Sequence, residues 1–292
     1  MTHKLSSIVE QLCGEPDGDA TIVNRTPGHL PSVPRLMDIL RLIREVMFPD
    51  FFDERTPSPE VLRHLTAVRI ARICTELAAQ IRRACRLTGA DPSMSDSATS
   101  AFVETLPSIR QLLLTDVSAM FANDPAATDR AEVIFCYPAF TGMFHYRIAH
   151  ALLVAGVPLL PRIITEIAHS QTGIDIHPGA VIGHHFSIDH GTGVVIGQTC
   201  VIGHHVSIYQ GVTLGAKSFV HGSDGQPLNI PRHPIIEDYV TIYSNATILG
   251  RITIGSHTVI GGNVWVTHDI PSNSRILQRQ PVEQFFIDGA GI

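Results

Sequence analysis

The chain has 292 residues, 44% of them hydrophobic and 16% charged, with a formal net charge of −6. That length allows two domains with sizeable cores, and an acidic balance without a basic run excludes a nucleic-acid backbone as the main partner. No apolar stretch reaches membrane-span length and Met1–Asp19 lacks the basic-then-apolar order of a signal peptide, while five cysteines with no CxxC spacing read as reduced thiols of a cytoplasmic protein.

Residues 1–32 are polar around Gly14-Glu15-Pro16-Asp17-Gly18-Asp19 and read as a poorly ordered segment. From Val33 the pattern turns helical, with Leu36, Ile39, Leu40, Ile43, Val46 and Met47 at steps of three and four up to Pro49. Ser58 or Thr56 caps the next helix, Pro59 sits just inside it, and Gly89-Ala90-Asp91-Pro92 closes it. A third helical stretch covers Ala98 to Phe121, and two more run from Pro138 to Leu153 and from Pro158 to His169. Arg41, Arg44, Arg69, Arg72, Arg82 and Arg83 read as solvated helix faces. Residues 33–172 are therefore an α-helical domain.

From Ile174 the period changes. Ile176, Ile182 and Ile188, then Ile196, Ile202, Ile208 and Leu214, then Ile236, Ile242, Ile248, Ile254, Ile260 and Val266 recur every six residues. Six is neither the helix nor the strand period; it is that of the hexapeptide parallel β-helix, with about three repeats per triangular coil. The fold class is α+β: a helical domain, a left-handed parallel β-helix over 173–270, and a C-terminal tail over 271–292. Gly183, Gly197, Gly203, Gly215, Gly255 and Gly261 follow the inward residues, where a tight turn could require positive φ.

The breaks in the period locate the chemistry. The step from Ile188 to Ile196 is eight and takes in Asp189-His190-Gly191-Thr192-Gly193; the step from Leu214 to Ile236 is twenty-two and takes in Ala216 to Pro234. Repeat folds place insertions in loops, often on the binding face. The tail ends Phe285-Phe286-Ile287-Asp288-Gly289-Ala290-Gly291-Ile292, an apolar end suited either to docking on a partner or to packing on its own domain.

The strings Asp175-Ile176-His177-Pro178, Asp189-His190-Gly191-Thr192-Gly193, Gln210-Gly211-Val212-Thr213-Leu214-Gly215 and Arg232-His233-Pro234, on a hexapeptide repeat behind a helical domain, resemble serine O-acetyltransferase. The resemblance spans about residues 110–270 and extends to the tail. It implies acetyl transfer from acetyl-CoA to the hydroxyl of L-serine, on the way to cysteine, with no metal. It implies His190 as general base, Asp175 as its carboxylate partner, Asp189 and Asp116 as contacts to the substrate (Asp116 to its amine), and Arg232 with His233 near its carboxylate. It implies a homotrimer or a dimer of trimers. It also implies that the terminal Ile292 inserts into O-acetylserine sulfhydrylase. The chain departs from the family in its long loop 217–231, in Pro231 where Asp is usual, and in Gln198 where many members carry Glu.

The residue types suit that chemistry. An imidazole titrates near ~6.5 and can take the hydroxyl proton as attack occurs, and a carboxylate on its other nitrogen fixes the tautomer, either within one chain or across a subunit contact. Direct attack fits, with Cys200 the only rival acyl carrier. Backbone N–H groups at Gly215 or Ala216 are candidate oxyanion donors. CoA is expected along later coils, over Ala246, Gly261 and Gly262. L-cysteine shares serine's ammonium and carboxylate, so feedback inhibition at the same site is expected. The alternatives are a γ-carbonic-anhydrase-like zinc enzyme built on His184, His185, His190, His204 and His205, an acetyltransferase for another hydroxyl such as that of homoserine, and a non-enzymatic scaffold.

Overall fold

A computed structural model describes residues 2–13, 30–53 and 58–279. The helices are α1 (Thr2–Cys13), α2 (Val33–Met47), α3 (Pro49–Phe52), α4 (Pro59–Thr88), α5 (Ser95–Asn123), α6 (Arg130–Cys136), α7 (Pro138–Val154) and α8 (Leu160–Thr172). Ser58 caps α4 by accepting from the Val61 N–H, and Gly89 closes it at φ 77°, the left-handed region that glycine enters without steric cost. The terminal α1 is a helix where polarity alone suggested disorder. Its Leu5, Ile8, Val9 and Leu12 have helical spacing, and all four are exposed.

Fourteen short strands follow, β1 (Asp175–Ile176), β2 (Val181–Ile182), β3 (Ser187–Asp189), β4 (Val195–Ile196), β5 (Val201–Ile202), β6 (Ser207–Tyr209), β7 (Thr213–Gly215), β8 (Ile235–Ile236), β9 (Thr241–Ile242), β10 (Thr247–Leu249), β11 (Thr253–Ile254), β12 (Val259–Ile260), β13 (Trp265–Val266) and β14 (Arg275–Ile276). They form three parallel sheets in the orders β1-β4-β7-β10-β13, β2-β5-β8-β11 and β3-β6-β9-β12-β14. Each coil of this solenoid visits a first, a second and a third face in turn. The inward aliphatics stack in register, Ile176 on Ile196 and Ile182 on Ile202. Every one of the six-spaced set is at most 7% exposed, and burial of each side chain contributes about 1.5–3 kcal/mol.

Two expectations are corrected. The coils run past 270 to Ile276, which pairs with Ile260; the step of four from Val266 to Ile270 hid the last repeat. The glycines after the inward residues are not at positive φ. They are small because the next coil is too close: a Cβ on Gly197 would lie 2.0 Å from the His233 ring, and one on Gly203 2.3 Å from Asp238 Oδ1. The left-handed turn positions belong instead to His185, His205, Tyr239, Asn245, His257, Asn263 and Asn273.

The helical region is clamped to the first coil. Asp116 of α5 is fully buried and takes Arg147 of α7 at 2.6 and 2.8 Å and the Phe186 N–H at 3.1 Å. Arg147 in turn donates to the Gly183 carbonyl at 2.8 Å, and the Tyr146 hydroxyl donates to the Ala180 carbonyl at 2.7 Å.

Candidate active site

His190 sits in the inserted loop where the third face of the first coil passes to the first face of the second. Its backbone is left-handed at φ 58°, and the following Gly191 (φ 94°) has no room for a Cβ, which would fall 2.5 Å from Ile174 Cδ1. The loop is thus forced into a tight protrusion. The His190 side chain is 70% exposed, and its Nδ1 lies 3.5 Å from Asp189 Oδ1.

The helix α5 ends beside this corner. The Asn123 amide donates to the hydroxyls of Ser187 and Ser207, both at 2.8 Å. The next residue, Asp124, accepts from the Tyr137 hydroxyl and, at 2.8 Å, from the Ala126 N–H. These bonds hold the Asp124 carboxyl below its ordinary range, and the nearby His190 adds to the effect. The same hydrogen bond pushes the Tyr137 phenol up to about 12. Asp124, Tyr137 and Asp189 line one small recess, so two carboxylates flank the exposed imidazole.

The resemblance implies Asp116 as the amine contact, and no sequence feature singles out Asp124. The structure corrects that assignment: Asp116 is spent on Arg147 and Phe186 with no exposed surface. Asp116 shares the apolar stripe of Leu113, Val117 and Met120, whereas Asp124 stands at a helix C-terminus, where the helix dipole disfavours an anion and a carboxylate therefore asks for another reason.

Arg232 and His233 lie at a different corner, between the first and second faces. Their backbone N–H groups both donate to Thr199 Oγ1, at 2.9 and 3.1 Å, and Arg232 Nη2 donates to Gln198 Oε1 at 3.0 Å. Gln198 thus supplies an uncharged oxygen to this guanidinium. His233 is buried, its Nδ1 accepts from the Thr199 N–H at 3.1 Å, and burial pushes its pKa down to about 4. The long insertion between them and β7 forms a small arm, with His221 paired antiparallel to Pro227. Half-buried Gly215 and Ala216 mark the same corner.

Asp175 does not touch His190 within one chain; its nearest cation is Arg162, at 3.6 Å. Of the residues expected to meet CoA, Ala246 is in the core with no exposed surface. Gly261 is covered too, since a Cβ there would lie 3.1 Å from the Ile276 carbonyl. Gly262 is half-buried at the edge that carries His190. Cys200 points inward and is fully buried; it donates to the Leu214 carbonyl, and burial pushes its thiol up to about 12, which removes it as an acyl carrier. His184, His185 and His205 bring ligand atoms within 4.8 Å of one another, but at the corner between the second and third faces, away from His190. Ile292 lies outside the described residues.

Residues 233–268 match the bacterial transferase hexapeptide (six repeats) family. The plasmid serine acetyltransferase of Synechococcus elongatus is 46% identical over 275 residues, covering 90% of this chain and 86% of that protein. The chain belongs to the serine acetyltransferase family. Serine acetyltransferase 1 of Entamoeba histolytica, solved in complex with L-cysteine, superposes with a TM-score of 0.74 at 38% identity, over 94% of this chain and 95% of that one. The Neisseria gonorrhoeae serine acetyltransferase in complex with serine gives a TM-score of 0.54 at 28% identity, over 82% and 94%. As a serine acetyltransferase, this enzyme is an acyltransferase on a β-solenoid, and the zinc-hydratase and scaffold readings fall away.

Proposed function

We propose that the enzyme transfers acetyl from acetyl-CoA directly to the L-serine hydroxyl, with His190 as general base, in a site shared by two copies of the chain. The observation that carries this reading is the split of the site between corners: His190, Asp189 and Asp124 at one, Arg232 and Gly215 at another. Packing one copy's His190 corner against its neighbour's Arg232 corner completes the set, as a cyclic trimer does three times over. The same contact offers Asp175 of one copy to His190 of the next.

In that site Asp124 and Asp189 hold the serine ammonium, and Arg232 grips its carboxylate. His190 removes the hydroxyl proton as the oxygen attacks the thioester carbonyl, and the proton passes to the departing CoA thiolate. Backbone N–H groups at Gly215 or Ala216 receive the oxyanion, and CoA runs along the edge marked by Gly262. L-Cysteine, with the same ammonium and carboxylate, competes for this site. The C-terminal segment ending in Ile292 docks on O-acetylserine sulfhydrylase; its deletion should abolish that complex and leave turnover unchanged. Among the described residues no helix is long and apolar enough to cross a membrane.

The test is complementation. His190→Ala and Arg232→Ala should each lose at least about a hundredfold in thiol release from acetyl-CoA. Co-refolding the two inactive variants should restore roughly a quarter of wild-type activity, because random pairing rebuilds one intact site in four. A mixture as inactive as its parts would reject the shared site.

A further inference from the structure

A cavity lies in the helical region, outside the residues assigned to catalysis. It has a volume of about 670 Å³ and is walled by α2, α4, α7, α8 and the Phe52-Asp53 turn. That volume falls within the roughly 300–1,000 Å³ of small-molecule sites. Three guanidinium groups converge there, from Arg41, Arg44 and Arg69, against two carboxylates.

The carboxylates are already taken. Glu45 pairs with Arg41 at 2.5 Å and with Arg69 at 3.0 Å, and Asp53 pairs with Arg69 at 2.8 Å. Among the described residues Arg44 has no ion pair and no side-chain hydrogen bond, and its buried Nε is unsatisfied. Its guanidinium is held between the Phe52 and Phe144 rings, 5.2 and 4.9 Å from their centroids, which fix its place without neutralising it. Burial lowers its pKa, with no carboxylate acting against the effect. A half-buried cation kept in place with no charge partner among the described residues is costly unless something else meets it.

The opposite wall is a hydrogen-bonding surface. His145 is buried and its Nδ1 donates to the Thr141 carbonyl at 2.7 Å, so the Nε2 of the neutral ring is left as an acceptor. Gln171 lines the same wall. The side chain of Arg41 is 55% exposed, which puts it at the mouth.

We propose that this cavity is a second ligand site, taking a small organic anion whose carboxylate or phosphate group meets the Arg44 guanidinium. His145 and Gln171 then read the ligand's hydroxyl or amino group. This site does not depend on the catalytic assignment, since it shares no residue with it.

The experiment is calorimetric titration of the full-length enzyme with sodium phosphate, sodium sulfate and sodium succinate at constant ionic strength. At least one should bind at one site per chain. Arg44→Gln should weaken it by about tenfold or more, the worth of a charge-assisted hydrogen bond. Arg72→Gln, on the exposed face of α4, should change nothing, nor should saturating L-serine. A phosphate-only or succinate-only response assigns the anion class. No saturable binding by wild type, or undiminished binding by Arg44→Gln, overturns the proposal. Should Arg44→Gln not fold, wild-type crystals soaked with whichever of the three anions binds decide: density for it beside Arg44 supports the site and its absence there rejects it.

Discussion

The Tyr137 hydroxyl donates a hydrogen bond to Asp124 Oδ2 and so fastens the end of α5 to the residue that precedes α7. It keeps the Asp124 carboxylate charged and aimed beside Asp189. Tyr137→Phe should raise the KM for L-serine about three- to tenfold while kcat stays within about twofold. Without the phenol the Asp124 carboxyl moves up toward its usual range, so the KM penalty should grow only as pH falls toward about 4. Steady-state kinetics across pH test this; an unchanged KM would free Asp124 from substrate binding.

Asp116→Asn separates the role of Asp116 within α5 from that of Asp124 just past its end. Removing that charge strands Arg147 in the interior, at a cost of about 3–5 kcal/mol, and urea unfolding should show it. A substrate ligand would instead raise KM with stability intact.

His145 and His233 both have pKa values pushed down to about 4 by burial. Unfolding returns them to about 6.5, so between these values the unfolded chain binds more protons than the folded one. The stability they contribute is fully present above about pH 6.5 and is lost as pH falls toward 4. The urea midpoint should drop over that window, and His145→Gln should flatten the slope.

Cys200→Ala should keep turnover within about twofold and cost about 1–3 kcal/mol of stability by leaving a small void. Mass spectrometry during turnover should find no acetyl group on the enzyme. An acetylated Cys200 would replace direct attack with a two-step transfer.

The solenoid was legible from the residues alone, because one buried aliphatic every six residues admits no other regular backbone; both insertions were legible too, because breaks in a strict period are visible without coordinates. The caps at Ser58 and Gly89 were legible for the same local reason. Which polar groups remain free to react emerged only from the packing of distant elements. Asp116 lies within α5 and Asp124 just past its end, yet contacts with Arg147 in α7 bury the first, and the Asn123 hydrogen bonds to Ser187 and Ser207 deliver the second beside His190. Arg44 looked like one more solvated helix charge until α3 and α7 folded Phe52 and Phe144 around it. Desolvation and pairing depend on neighbours distant in sequence, and no local pattern encodes them.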